Sequence, residues 1–325
     1  MAEREVLLQV RDLCKEFKVR SRKLGGATQV LHALSHVNLD VYRGETLGII
    51  GESGCGKSTL GRCIVGLHTP TSGALTFEGA PLDYHAKEHG KALRSKIQMI
   101  FQDPYSSLNP RKTCKKIVEE PMIIHNTMPD AKKREERVQE LMSVVGLDAQ
   151  HVHRFPHEFS GGQRQRINIA RALSLNPDLL VCDEPVSALD VSIQAQVLNL
   201  FGRLQKEFGL TYVFISHDLS VIKHISDRIA IMYLGQVLEL CDAASIYAKP
   251  MHPYTQALLS AIPPTSPFEE KQPIELQGDI PSPIGEQKGC PLASRCPHCT
   301  ERCRQECPHL KDQGDGHQVA CFLYE

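Results

Sequence analysis

Gly51-Glu52-Ser53-Gly54-Cys55-Gly56-Lys57-Ser58-Thr59 follows the apolar run Thr46-Leu47-Gly48-Ile49-Ile50 and precedes Leu60-Gly61-Arg62-Cys63-Ile64-Val65. It fits Gly, four residues, Gly-Lys-Ser/Thr, and its flanks read as a strand and a helix. That context makes a phosphate cradle. Glycines at 51, 54 and 56 let backbone N–H groups turn inward, and the helix adds the positive end of its dipole. Lys57 supplies a point charge for the β- and γ-phosphates, while the Ser58 hydroxyl suits Mg²⁺. A glycine-rich turn without a ligand is the plainer alternative, and the strand and helix on either side argue against it. The stretch predicts an α/β fold.

The 325 residues suggest one large domain plus a smaller appendage. Lys+Arg 37 against Asp+Glu 38 leaves a formal charge of -1, which favours neither a nucleic-acid surface nor bulk attraction to an anionic membrane. Met1 to Glu5 has no apolar core with a cleavage site behind it, and no run of about twenty apolar residues occurs. A cytosolic protein that meets any membrane through a partner is expected. Of 12 cysteines, Cys14, Cys55, Cys63, Cys114, Cys182 and Cys241 are scattered, and the rest crowd into the region after Lys288. In a reducing compartment such crowding points to metal chemistry.

Residues 7–13 and 36–41 read as strands, with the basic, glycine-containing stretch from Arg20 to Thr28 between them as a solvated turn. Residues 73–79 and 96–102 predict further strands, and 86–94 a polar helix. Asp103 to Pro110 is turn-rich, Ala131 to Val145 is an amphipathic helix, and Ser160 opens another helix through Leu173. Leu179-Leu180-Val181-Cys182-Asp183 and Thr211-Tyr212-Val213-Phe214-Ile215-Ser216 are near-continuous apolar runs, as parallel strands buried on both faces require. A helix from about 192 to 208 joins them, and a hairpin follows over 228–240. Beyond Pro263-Pro264 a proline-rich linker leads into the cysteine-dense tail.

Asp183 and Glu184 end the buried apolar strand 179–182, where a surface acidic pair has no reason to be. Asp183 suits Mg²⁺, and Glu184 can orient or deprotonate a water. Ser160-Gly161-Gly162-Gln163 opens a helix as a second anion site, since a simple N-cap needs no pair of glycines.

The cradle at 51–59, Gln102 closing a strand, Ser160-Gly161-Gly162-Gln163, Asp183-Glu184, Ser187-Ala188-Leu189-Asp190 and His217 after a strand resemble the ordered motifs of ABC-transporter nucleotide-binding domains. The resemblance covers roughly residues 6–250. It implies a P-loop NTPase of ABC type, with a mixed sheet core, N-terminal antiparallel strands and an inserted helical subdomain at about 103–175. It implies ATP hydrolysis between two domains arranged head to tail, each phosphate loop facing the other subunit's Ser-Gly-Gly-Gln helix. By position, Phe17 resembles the aromatic residue that stacks on adenine, against a plain core phenylalanine as the alternative. Gly51, Ser53, Gly54, Cys55, Gly56, Lys57, Ser58 and Thr59 hold the phosphates. The resemblance further implies that Ser58, Gln102 and Asp183 serve Mg²⁺, that Glu184, Gln102 and His217 form the catalytic set, that Asp190 communicates across the dimer, and that Ser160, Gly161, Gly162 and Gln163 serve the neighbouring site.

Residues 101–110, 184–192 and 252–259 are similar to the ATPases of bacterial oligopeptide, dipeptide and nickel importers. That likeness implies a second, paralogous ATPase subunit, two membrane-spanning permeases contacted near Pro104 to Val118, and indirectly an extracytoplasmic binding protein. It implies peripheral attachment to the cytoplasmic face of the inner membrane, and no nucleic acid. The alternative is a soluble ABC ATPase acting on nucleic acid or ribosomes, for which a basic face or inserted arm is missing. The division expected is 1–262 for the nucleotide-binding domain and 263–325 for linker and metal-binding tail. Cys290, Cys296, Cys303 and Cys321, spaced C-x₅-C-x₆-C-x₁₇-C, resemble the tail of peptide-importer ATPases in which some members hold a [4Fe–4S] cluster. Zn²⁺ on Cys296, Cys299, Cys303 and Cys307, or free redox-active thiols, are the alternatives.

Overall fold

The computed structural model describes residues 4–19, 28–262, 273–285 and 288–325. Of the turn expected from Arg20 to Thr28, all but Thr28 lies outside the described residues, as does much of the proline-rich linker. Strands β1 (Val6–Val19) and β2 (Gln29–Tyr42) form a long antiparallel ribbon, followed by β3 (Thr46–Ile50) and α1 (Lys57–Ile64). Next come β4 (Ser72–Phe77), β5 (Ala80–Pro81), α2 (Lys87–Lys96) and β6 (Ile97–Ile100). The helices α3 (Cys114–His125), α4 (Ala131–Val144) and α5 (Gly161–Leu173) precede β7 (Leu179–Asp183), α6 (Val191–Phe208), β8 (Thr211–Ile215) and α7 (Leu219–Ile225). The chain continues through β9 (Arg228–Tyr233), β10 (Gln236–Asp242), α8 (Ala243–Ala248), α9 (Pro253–Ser260), α10 (Glu301–Gln305), β11 (Lys311–Asp312) and β12 (Gln318–Val319).

Two sheets share the interior. An antiparallel sheet has the order β2-β1-β4-β5, and a mixed sheet runs β11-β12-β10-β9-β3-β8-β7-β6. Every residue of β3, β7, β8 and β9 is buried, the condition that near-continuous apolar runs satisfy. Successive side chains serve opposite faces: Val213 and Ile215 join the core between the sheets, whereas Tyr212 and Phe214 face the helical side. Parallel pairing sets Ile49 beside Ile215 and Asp183 beside Ile215, so three strands end together at one crevice.

Residue patterns assign no helix to the stretch of α3, which lies within the helical subdomain implied at about 103–175, and α3 tolerates Pro121 in its interior. Tertiary burial outweighs propensity: Cys114, Ile117, Val118 and Met122 are inserted into the core shared with α4 and α5.

The cysteine-rich region, expected as a small appended unit, is instead continuous with the main sheet. β12 pairs antiparallel with β10, matching Glu239 to Val319 and Leu240 to Gln318. Leu292 is fully buried in the same core as the helices. At the junction Glu239 is completely buried, and it accepts the N–H groups of Met251 (2.8 Å) and His252 (2.9 Å) and lies 2.6 Å from His317 Nε2. A buried carboxylate costs several kcal/mol unless such donors compensate it, so the tail is held where its histidine is needed.

Next to it, buried His252 caps α9 by accepting the Tyr254 N–H at Nδ1 (3.1 Å). Burial pushes its pKa down from 6.5 to about 3. The folded state therefore holds it neutral. Above pH 6.5 neither state protonates it and stability is unaffected; below that, the unfolded chain takes up a proton that the folded chain refuses. This histidine should remove roughly 2 kcal/mol of unfolding free energy between pH 6.5 and pH 5. Urea titrations at the two pH values should show that component disappearing in His252→Gln; parallel pH profiles for the two proteins would refute the assignment.

Candidate active site

β3 hands Gly51 directly to the loop, and Lys57 opens α1. Two of the glycines are sterically required. A Cβ on Gly51 would lie 2.0 Å from the Met232 carbonyl oxygen, and one on Gly56, at φ 105°, would lie 2.4 Å from that of Ala33. Lys57 is buried and donates from Nζ to the carbonyls of Gly51 (2.7 Å) and Glu52 (2.9 Å). The ammonium is thus held inside the loop by neutral acceptors, for which an anion is a stronger competitor.

Ser58 Oγ donates to Asp183 Oδ1 at 2.7 Å, linking the start of α1 to the end of β7. Asp183 is buried, and burial pushes its carboxyl up, against the Ser58 hydrogen bond and the nearby charges of Arg62 and Lys57. The adjacent Glu184 carboxylate raises it further. A carboxyl so placed lacks a full ion pair, and a divalent cation at the Ser58–Asp183 pair fits that deficit.

Glu184 has the left-handed φ of 47°, and its N–H donates to the Ile215 carbonyl at 3.0 Å. A non-glycine residue in that region is held there by its surroundings. The turn aims its carboxylate at two partners: Gln102 Nε2 donates to Oε2 at 2.8 Å, and His217 Nδ1 lies 3.1 Å from Oε1. These residues border one cavity of about 550 Å³ together with Phe17, Ser53, Gly54, Gly56, Lys57, Ser58 and Thr59. Phe17 is half-buried and outside both core clusters, with His68 edge-on at 5.4 Å and the Lys15 ammonium 4.9 Å over its ring.

Other expected residues lie elsewhere. The Cys55 side chain turns into the core between the sheets, and burial pushes its thiol up. Ser160, Gly161, Gly162, Gln163 and Asp190 do not border the cavity. Ser160 Oγ accepts the Gln163 N–H (3.4 Å) and Gln163 Oε1 accepts the Ser160 N–H (3.0 Å), a reciprocal cap on α5. Both residues are exposed, as is Asp190. The two glycines differ: a Cβ on Gly162 would sit 2.3 Å from Ile193 Cγ2, whereas one on Gly161 would meet only ordinary contacts. Packing of α5 on α6 alone therefore requires Gly162.

The cavity also takes in residues that no motif marks. Leu31, His32 and Ala33 of β2, Leu234 and Gly235 of the β9–β10 turn, and Pro283 complete its wall. The Leu234-Gly235 turn was legible only as a hairpin. Pro283 is placed by long-range pairing, because its carbonyl accepts the His32 N–H at 2.9 Å.

In the tail, Cys290, Cys296, Cys303 and Cys321 line a single cavity of about 170 Å³. Cys299 and Cys307 are not part of it; the Cys307 thiol contacts Gln236 Oε1 at 3.2 Å. Burial pushes the Cys290 thiol up to about 12 and raises Cys296 and Cys321. Among the described residues, no three His, Cys, Asp or Glu side chains stand in a ready metal-holding group.

Residues 34–187 match the ABC transporter family, and residues 238–303 match the oligopeptide/dipeptide transporter C-terminal region. The chain is 51% identical over 330 residues to the oligopeptide transport ATP-binding protein AppF of Bacillus subtilis, covering 99% of each. It is 49% identical to the dipeptide transport ATP-binding protein DppF of Escherichia coli, over 98% of this chain and 95% of that one. A solved dimeric ATP-binding cassette in a post-hydrolysis state, bound to ADP and Pi, superposes with a TM-score of 0.64 at 31% identity, over 73% of this chain and 99% of its own. The cbiO1 protein of Clostridium perfringens, part of an ABC transporter complex, gives a TM-score of 0.64 at 28% identity over 75% and 92%.

The loop geometry separates its glycines. Gly51→Ala forces backbone against backbone and should cost about 3 kcal/mol or more, while Gly54→Ala, whose Cβ meets open space, should cost about 1 kcal/mol from its φ of 79° alone. Denaturant unfolding of the two variants measures the difference, and equal losses would contradict it.

Proposed function

The chain belongs to the ABC transporter family, and on that footing we propose that it is the ATP-hydrolysing subunit of a binding-protein-dependent importer of di- and oligopeptides. The observation that carries this reading is the convergence on one cavity of Lys57, Ser58, Gln102, Glu184 and His217, with Asp183 hydrogen-bonded to Ser58. The relatives that match over nearly the whole chain are peptide-transport ATP-binding proteins. No observation favours the alternative of an ATPase acting on nucleic acid or ribosomes.

In this reading the loop N–H groups and Lys57 bind the ATP phosphates, and Phe17 stacks on the adenine. Ser58 and Asp183 hold Mg²⁺ with Gln102 beside them, and the ion neutralises phosphate charge when bound. Glu184 takes a proton from the attacking water. His217 steadies both Glu184 and the γ-phosphate. The exposed Ser160 to Gln163 cap and Asp190 serve a second cassette, so the cavity described here is one half of a dimeric site. ATP then bridges two subunits, and its hydrolysis releases them.

A permease surface is proposed on the helical side. Phe101, Tyr105, Ile123 and Ile124 are exposed apolar residues there, beside a groove of about 550 Å³ that includes Phe101, Ser106, Ser107 and Pro121. That overlaps the expected contacts from Pro104 to Val118 and extends them into α3. No helix among the described residues is long and apolar enough to cross a membrane, so attachment to the inner face of the membrane is assigned to these partners.

For the tail, four thiols on one cavity support a [4Fe–4S] cluster on Cys290, Cys296, Cys303 and Cys321. Zinc on Cys296, Cys299, Cys303 and Cys307 is disfavoured because Cys299 and Cys307 do not border that cavity. The raised thiol pKa values mean that loading must release protons, which makes it weaker at acid pH.

Glu184→Gln should lower ATP turnover by at least about 100-fold while leaving ATP binding intact and trapping a dimer on size-exclusion chromatography. Unreduced turnover would overturn the role of Glu184. Affinity purification from membranes should recover a second cassette and two permeases, and recovery of ribosomes or nucleic acid instead would overturn the transport reading. Anaerobically purified protein should be brown, and each of Cys290→Ser, Cys296→Ser, Cys303→Ser and Cys321→Ser should bleach it; colourless protein with stoichiometric zinc would reject the cluster.

A further inference from the structure

The C-terminal region touches the phosphate loop itself. Arg295, one residue before Cys296, places Nη1 3.4 Å from each carboxylate oxygen of Glu52 and 3.3 Å from the Tyr233 hydroxyl. Only 11% of its side chain is exposed, against 26% for Glu52, so solvent screens the pair less than an ordinary surface bridge. Glu52 is the second residue of the loop and is held at each of its groups. Its N–H donates to the Tyr254 hydroxyl at 3.1 Å, its carbonyl accepts from Lys57 Nζ at 2.9 Å, and Arg295 engages its carboxylate. Tyr233 and Tyr254 support this arrangement from below, their ring centroids 4.7 Å apart.

The same region holds the opposite end of the cavity. Pro283 borders it, and the Pro283 carbonyl and Gly285 N–H pair with His32 and Val30 of β2 at 2.9 and 3.0 Å. Two separate contacts from the region after Pro264 thus bear on one nucleotide cavity. A purely structural clamp would not need to place Arg295 on a loop residue whose carbonyl holds the phosphate-binding lysine.

We infer that Arg295 is a positioning residue for ATP binding: by fixing Glu52 it presets the loop and the Lys57 ammonium for the phosphates. The inference rests on the reading of residues 51–59 as the ATP site. Its effect falls on the ground state. Without Arg295 the loop must be ordered at the moment ATP binds, which weakens affinity but leaves the bound geometry, and hence the chemical step, largely intact.

The test is steady-state ATPase kinetics on the full-length protein in its transporter complex. Arg295→Met should raise KM for ATP by roughly three- to ten-fold with kcat within about two-fold, and with an unchanged unfolding midpoint. Arg295→Lys should recover part of the KM loss. Glu52→Gln should raise KM similarly, and the double variant should be no worse than either single one, because both remove one contact. An Arg295→Met KM within two-fold of wild type, or strictly additive effects in the double variant, overturns the inference. If Arg295→Met does not fold, the Arg295→Lys and Glu52→Gln comparison decides it on the same criterion. Wild-type protein that hydrolyses no ATP overturns the underlying reading of the site instead.

Discussion

Backbone grips the phosphate loop from both sides, and the rest of the site depends on that grip. Gly235 donates its N–H to the Cys55 carbonyl at 2.8 Å, and Ser35 donates to the Gly235 carbonyl at 2.9 Å. β2, the loop and the β9–β10 turn are thereby stitched edge to edge. Side chains at Gly51 or Gly56 would push these segments apart, because the atoms they meet are carbonyl oxygens of fixed strands. The loop's shape is consequently set by the register of two sheets rather than by its own short sequence.

From that anchored loop the chemistry extends along strand ends. β7 and β8 pair so that Asp183 stands beside Ile215, and Glu184 then borrows the Ile215 carbonyl for its own N–H. A left-handed turn at Glu184 is the local cost, and it directs one carboxylate between an amide and an imidazole. The exposed cap on α5 and the exposed Asp190 lie outside this arrangement. In the proposed dimer they complete a neighbour's cavity, which explains why a single chain carries an open site.

Sequence patterns revealed what depends on neighbours along the chain. The buried runs at 46–50, 179–183 and 211–215 could only be covered strands, and the residues after them, 51–59, 183–184 and 217, followed in order. Helix α3 was hidden because Pro121 opposes a helix locally while Met122 and Val118 secure it through contacts made far away. Arg295 and Pro283 were illegible for a related reason: their partners Glu52 and His32 lie in strands and loops that only folding brings near. The tail was mistaken for an appendage because proline and cysteine density describe composition, whereas β12 joins β10 through backbone pairing that composition does not encode. At Gly162 the pattern left the cause open, since a glycine packed against Ile193 resembles one that serves an anion.

The buried Glu239 has a consequence for the order of events during synthesis. His317 lies 78 residues downstream of it, and β12 covers the outer edge of β10 from equally far along the chain. While the ribosome is still adding those residues, the nascent sheet has an open edge and a carboxylate short of one partner. The last sheet-building step closes both defects together. The outer edge of β10 is thus covered only once the chain extends past residue 319.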